Sequence, residues 1–190
     1  MKIGLFFGSF NPIHVGHLIV ANVMATTTDL AQVWFVVSPQ NPFKKNNTLL
    51  HEFDRMDMVE KAITDNPKLK TTDIEFAMPR PSYTIDTLNS LQQKYPQHSF
   101  KLIIGEDNLA QFGNWKNYEA ILENFGLYVY PRPNAASSDF SEHPNVALVK
   151  APLLDISATF IRECIKNQQS IRYMVPETVE RYIEKKKFYQ

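Results

Sequence analysis

KIGLFFGSFNPIHVGH, residues Lys2 to His17, is the stretch that decides the fold. Lys2–Phe7 is a short apolar run of the kind that forms a buried strand. The segment Gly8–Ile13 breaks it. From His14 to about Thr28, Val15, Leu18, Ile19 and Val23 recur at helical spacing. A strand that feeds a helix through a short turn is the opening half of a βαβ unit.

Working outward, the alternation continues. Ala31–Val37 is β-branched and aromatic and reads as a second strand, followed by a polar loop with two prolines over Ser38–Thr48. His51–Asp65 places Phe53, Met56, Val59 and Ile63 at helical spacing, and Leu69–Ile74 reads as a third strand. Tyr83–Tyr95 carries Ile85, Leu88 and Leu91 on one helical face. Phe100–Ile104 is a strand that ends at Gly105, and Leu109–Phe125 holds short helical pieces. Leu127–Tyr130 and Val146–Val149 are further short strands, and Ser157–Asn167 and Glu177–Lys187 are terminal helices. The expected architecture is α/β, a Rossmann-like, mainly parallel sheet with helices on both faces and right-handed crossovers. One domain spanning residues 1–190 is expected, since that length builds a sizeable core. In such sheets ligands bind beyond the carboxyl ends of the strands, which directs attention to the loops after Phe7, Val37 and Ile104.

Composition excludes several functions. The six glycines (Gly4, Gly8, Gly16, Gly105, Gly113 and Gly126) are under half of the roughly 7% of average usage. Their spacing permits neither G-x-G-x-x-G nor a Walker A loop, so any nucleotide must be held by another device. Net charge is zero, with 20 basic and 20 acidic residues, which argues against a nucleic-acid partner. The single Cys164 excludes a disulfide framework and every multi-cysteine zinc site, and reads as a buried small apolar residue. No uncharged apolar stretch of about 18 residues occurs and the N-terminus does not read as a signal peptide. A cytoplasmic protein without a membrane partner is expected, with a homo-oligomer left open.

Two segments carry chemistry. In GSFNPIHVGH (Gly8–His17) two histidines three apart share one face of a first helical turn, with Gly16 leaving room for close approach. Free N–H groups and the positive end of the helix favour an anion there. The pair is also a potential metal couple, but zinc needs a third ligand, and no Cys, Asp or Glu follows before Asp29. In ISATFIR (Ile156–Arg162) Ser157 is a plausible N-cap, and Thr159 and Arg162 can face the same helix end. Alone, that segment reads better as an ordinary capped helix with a surface arginine.

Together the two segments are far more specific. The pattern G-x-F-x-P-x-H-x-G-H followed late by I-S-x-T-x-I-R resembles the HxGH nucleotidylyltransferase superfamily. Within it, PSYTIDTL (81–88), IIGEDNL (103–109), Trp115 with NYEAIL (117–122) and YPRP (130–133) are similar to the bacterial nicotinate-nucleotide adenylyltransferases, in the order that family has them. The resemblance covers essentially the whole chain. It implies transfer of the adenylyl group of ATP to nicotinate mononucleotide, giving nicotinate adenine dinucleotide and pyrophosphate in NAD biosynthesis. The same corner is shared by nicotinamide mononucleotide and phosphopantetheine adenylyltransferases, and an inactive nucleotide-binding regulator is the alternative outside enzymes.

The implied reaction is in-line attack by a phosphate monoester that is already ionised near pH 7, its second pKa being about 6. It needs no general base and no covalent intermediate. Catalysis then consists of positioning and charge neutralisation. The resemblance places Gly8, Ser9 and Phe10 with both histidines against the phosphates, His17 at the α-phosphate and His14 in support. It puts Ile156, Ser157 and Arg162 with the leaving pyrophosphate, Lys44 near the bridging phosphates, and Gly105 and Asp107 near the sugars. It assigns Thr84, Trp115 and, more faintly, Arg132 to the pyridine nucleotide. Mg²⁺ is expected on the ATP phosphates and water, without a protein metal site. Three departures stand out: Asn11 where the family more often has Asp, the missing histidine in Pro42-Phe43-Lys44-Lys45 where the family has Pro-His-Lys or similar, and the pair of consecutive lysines itself, of which Lys44 aligns better.

Overall fold

A computed structural model of the chain describes residues 1–39 and 49–190. The elements follow the expected alternation. They are β1 (Lys2–Gly8), α1 (Val15–Thr27), β2 (Gln32–Val37), α2 (Glu52–Ile63), β3 (Leu69–Thr72), α3 (Thr84–Lys94) and β4 (Ser99–Gly105). After these come α4 (Glu106–Leu109), α5 (Tyr118–Asn124), β5 (Leu127–Tyr130), β6 (Val146–Leu148), α6 (Ala158–Lys166) and α7 (Glu177–Lys186). The six strands form one sheet in the order β3-β2-β1-β4-β5-β6, and every ladder is parallel. This is a Rossmann-like α/β architecture. The strand order reverses between β1 and β4, which opens a crevice at their carboxyl ends.

The strand pleat sorts the core into two layers. Phe6, Val33, Phe35, Val37 and Ile103 face one side, where Met58, Val59, Ile161, Val179 and Ile183 from α2, α6 and α7 cover them. Ile3, Leu5, Trp34, Val36, Leu102 and Ile104 face the other, under Leu88, Leu91 and Ile121 from α3 and α5. Alternate residues of β1, β2 and β4 therefore feed opposite layers, as a period of two requires. Cys164 is buried in the first layer, as its composition-based reading expects.

Three local expectations differ from the structure. The third strand ends at Thr72, whose hydroxyl accepts the Ile74 N–H (3.3 Å); Ile74–Ala77 is instead a 3₁₀ turn. Helix α1 buries Gly16, Val20, Ala21, Met24 and Ala25, while Val15, Leu18, Ile19 and Val23 are half-buried. Its small residues face the sheet, where close approach wins over side-chain size. In α2 the buried stripe is Glu52, Arg55, Met58, Val59 and Ile63, and Phe53 is 60% exposed. Among the described residues, no helix is long and apolar enough to cross a membrane.

Candidate active site

The two motif segments meet at the carboxyl end of β1, through residues 151 positions apart. Arg162 Nη1 donates to the Asn11 carbonyl (2.7 Å) and Nη2 to Thr159 Oγ1 (3.2 Å). A Cβ on Gly16 would lie 2.6 Å from Ile156 Cγ2. The space at Gly16 is thus taken by Ile156, where the sequence suggested a bound ligand. A Cβ on Gly8 would strike the Phe10 ring at 2.7 Å. Glycine is required at both positions because another part of the site packs there.

Phe10 folds back on the loop with φ of 46°, the left-handed region that costs a non-glycine residue about 1–2 kcal/mol. Its ring offsets this by burial among Phe6 and Phe35, at centroid separations of 6.0 and 5.3 Å. His17 stands edge-on to Phe10 (5.1 Å) and stacks on His14 (3.7 Å, 25° between planes). The His14 N–H donates to His17 Nδ1 (3.3 Å), so the neutral His17 ring carries its proton on Nε2 and presents a donor there. His14 is buried, and its Nδ1 has no hydrogen-bond partner among the described residues.

Burial, and then the nearby Arg132 charge, lower the His14 pKa from 6.5 to about 4. Burial, with His14 and Arg132, holds His17 well below its ordinary value. Both imidazoles are neutral at pH 7 without an anion. Positive potential comes instead from Arg132, Arg162 and backbone N–H groups. The end of α1 supplies fewer of these than expected, since the Val15 N–H donates to the Met174 carbonyl (2.9 Å) and that of His17 to His14 (3.0 Å). Ser157 does cap α6, accepting the Phe160 N–H (3.2 Å), and its own O–H remains available to donate.

One cleft of about 690 Å³ joins this corner to the rest of the expected site. Gly8, Ser9, Phe10, His14, His17, Ser157 and Arg162 line it together with Gly105, Asp107, Thr84 and Trp115. Trp115 is half-buried against Phe112 (5.6 Å). Thr84 is the first residue of α3, and among the described residues the Thr84 and Ile85 N–H groups have no acceptor. Arg132 lines this cleft as well as a smaller recess shared with His14, Gly16 and Ile156, and its Nε lies 3.8 Å from Asp107 Oδ1. The structure therefore gathers Arg132 with the histidines. Lys44 and Lys45 lie outside the described residues. Among those described, no group of three His, Cys, Asp or Glu that could hold a metal is present.

Two buried charged residues were not anticipated. Glu75 accepts from Ser82 Oγ (2.9 Å) and Thr87 Oγ1 (2.7 Å), locking the 3₁₀ turn to the start of α3. Burial pushes its pKa up against those two bonds. Arg55 is fully buried under the Gly8–Phe10 loop. Ser82 and Thr87, two hydroxyls within PSYTIDTL, were the available signal for a buried acceptor. For Arg55 the signal was its place three and four residues before Met58 and Val59 on α2.

A cytidylyltransferase-like family model matches residues 5–164. A Cytophaga hutchinsonii protein is 66% identical over 189 residues, covering all of this chain and 98% of its own. One from Flavobacterium psychrophilum is 54% identical with both chains fully covered. Both bear the name "Probable nicotinate-nucleotide adenylyltransferase". In structure the chain is similar to a Plasmodium falciparum nicotinic acid mononucleotide adenylyltransferase complexed with NaAD. The TM-score is 0.84 and the identity 20%, with 99% of this chain and 97% of that one covered. The same protein complexed with APC gives 0.83 at 19% identity, covering 99% and 96%.

Proposed function

The chain belongs to the cytidylyltransferase-like family, among the nicotinate-nucleotide adenylyltransferases, and from that premise we propose how its cleft carries adenylyl transfer from ATP to nicotinate mononucleotide. The products are nicotinate adenine dinucleotide and pyrophosphate, in NAD biosynthesis. The observation that carries the reading is the Arg162–Asn11 hydrogen bond. It fuses the HxGH corner and the ISATFIR helix into one anion-binding corner of a cleft that the start of α3 also lines.

The reaction has to bring two polyanions into line, and the site offers donors without a competing nucleophile. The attacking phosphate oxygen forms a bond to the α-phosphorus as the bond to the pyrophosphate oxygen breaks. His17 Nε2–H and the Phe10 N–H face the α-phosphate, where charge builds in the transition state. His14 supports the His17 ring through their stacking and presents its own ring to the phosphate chain. Ser157, the α6 N-terminus and Arg162 receive the β- and γ-phosphates, which leave together as pyrophosphate. Lys44 adds charge near the bridging oxygens. Gly105 and Asp107 lie with the sugars. Arg132 lines the cleft with Thr84 and Trp115 as well as with the histidines, and remains a contact of the pyridine nucleotide; its charge also faces the imidazoles.

At the start of α3, the unpaired Thr84 and Ile85 N–H groups suit an acceptor-only carboxylate better than an amide, which would bring N–H donors of its own. The half-buried Trp115 offers a stacking face for the pyridine ring. Mg²⁺ fits as a companion of ATP. The phosphate end presents imidazole, guanidinium, hydroxyl and N–H groups, and Asp107 and Asp155 line the cleft singly. The ion would neutralise phosphate charge while held by phosphate oxygens and water. These substrates suit a cytoplasmic enzyme built as one domain.

The test is pyrophosphate release with ATP and Mg²⁺, comparing nicotinate mononucleotide, nicotinamide mononucleotide and phosphopantetheine as acceptors. Preference for the first is expected. Equal or better turnover with the second overturns the substrate assignment, and no release with any acceptor overturns the reaction.

A further inference from the structure

Among the described residues Arg55 is the largest fully buried side chain, and none of the ion pairs there joins it to a carboxylate. Its Nη1 donates to the carbonyls of Ser9 (2.6 Å) and Ser38 (2.8 Å), its Nη2 to that of Pro39 (3.2 Å) and its Nε to that of Leu50 (2.9 Å). Glu52, which acts on it through space, is itself paired with Arg80 at 2.5 Å. The undescribed stretch 40–48 contains no Asp or Glu. A structural arginine in a core is ordinarily neutralised by an acid, because an uncompensated buried charge is costly. Here four neutral carbonyls hold the charge. Burial lowers its pKa to about 10, which leaves it cationic at neutral pH.

The four carbonyls come from three places: the loop after β1, the exit of β2 and the approach to α2. Drawing the Ser9 carbonyl toward Arg55 has a geometric consequence. In a trans peptide the C=O and the next N–H lie on opposite sides of the bond. The Phe10 N–H is therefore turned away from Arg55, and Ser9 and Phe10 both line the cleft. Among the described residues that N–H has no acceptor.

We propose that Arg55 is a positioning residue of the phosphate site: its guanidinium fixes the Ser9–Phe10 peptide so that the Phe10 N–H faces the reacting phosphate, and it lays a permanent positive charge beneath the bound polyphosphate. The proposal rests on the adenylyl-transfer reading above for its kinetic consequences, but not for its effect on anion binding. An anion in the cleft supplies the counter-charge that the protein withholds. It does so without touching Arg55.

The test compares wild type with Arg55→Lys and Arg55→Met, all assayed below their melting temperatures. Lysine keeps a charge but cannot span four carbonyls; methionine loses both. A fall in kcat of at least about tenfold is expected in both, from a misaimed transition-state donor. Calorimetry with inorganic pyrophosphate should show binding weakened further in Arg55→Met than in Arg55→Lys. Folded variants with kcat and pyrophosphate affinity within about twofold of wild type would overturn the proposal. A measurement on wild type covers the case in which neither variant folds. The arginine Nε–H signal most protected from solvent exchange should shift on adding pyrophosphate, and an unmoved signal counts against the proposal. If wild type binds pyrophosphate but shows no adenylyl transfer, the functional reading fails while the anion arm still tests Arg55.

Discussion

His14 and His17 are neutral in the free enzyme because the core around them is aromatic and a guanidinium stands nearby. This has a consequence for stability. An unfolded His14 titrates near 6.5 and the folded one near 4, so between those values the unfolded state holds more protons. Stability is full above pH 6.5 and is lost as pH falls toward 4, by roughly 3 kcal/mol for this residue if the whole gap is expressed. Chemical denaturation at pH 7.0 and 4.5 should show the loss, and His14→Gln should flatten the slope relative to wild type. Equal slopes would mean that His14 does not titrate this way. Bound ATP reverses the local sign, since a polyphosphate favours the protonated rings. For catalysis, His17→Ala should lower kcat by at least ~10²-fold, the usual cost of one lost transition-state donor. Steady-state pyrophosphate release measures it, and near-normal turnover would remove His17 from the α-phosphate. The two histidines were legible because their spacing sets them on one helical turn. Their neutrality was not, since it depends on Phe6, Phe10 and Arg132, which only the fold brings together.

At the level of elements, helix α2 separates what periodicity can and cannot tell. The sequence Phe53, Met56, Val59, Ile63 suggested one face, yet Phe53 is 60% exposed and Arg55 is fully buried. The stripe that faces the core runs through Arg55, Met58, Val59 and Ile63, rotated from the more apolar choice. A polar residue won because three loops needed a common donor at that spot, a demand made by tertiary structure alone. The assignment is open to a simple comparison. Met58→Ala should destabilise by about 2–5 kcal/mol, as core truncations do, while Phe53→Ala should cost no more than about 0.5 kcal/mol. Urea denaturation of both variants decides it, and the reverse order would restore the face that includes Phe53. The alternation of strands with helices was readable throughout, because each strand is a short apolar run and the parallel sheet buries both faces. Boundaries failed where side chains compete for the backbone, as at Thr72, or where a left-handed residue stops a helix. At the end of α7, Lys187 (φ 56°) donates to the Glu184 carbonyl (3.2 Å) and Phe188 to that of Ile183 (3.1 Å).

At the scale of the whole molecule, the two ends of the sequence close on one turn. Lys187 and Tyr189 both sit in left-handed conformations, which bend the chain after α7 back toward β1. The Tyr189 hydroxyl donates to Asn11 Oδ1 (2.8 Å), and the same oxygen accepts the Leu50 N–H (3.3 Å). The Asn11 carbonyl receives Arg162. One residue of the GSFNP turn is thus held from α6, from the approach to α2 and from the segment after α7. This also explains how the chain accommodates Asn where the family more often has Asp. Oδ1 is required here as an acceptor, and an amide provides one without adding negative charge beside the phosphates. None of this was visible in the sequence, because Tyr189 is separated from Asn11 by 178 positions and by every strand of the sheet but the first. Tyr189→Phe tests the closure while keeping the ring. Losing one partly buried hydrogen bond should cost about 0.5–1.5 kcal/mol, a fall in Tm of a few degrees for a chain of this size. If the turn transmits the loss to the phosphate corner, kcat should fall as well, while the affinity for nicotinate mononucleotide, whose pyridine end is proposed to meet α3, should change less. A thermal melt paired with initial rates at saturating ATP separates the two effects. A variant with unchanged Tm would mean that the hydroxyl contributes nothing to holding Asn11. One with lowered Tm and unaltered kcat would confine Tyr189 to folding.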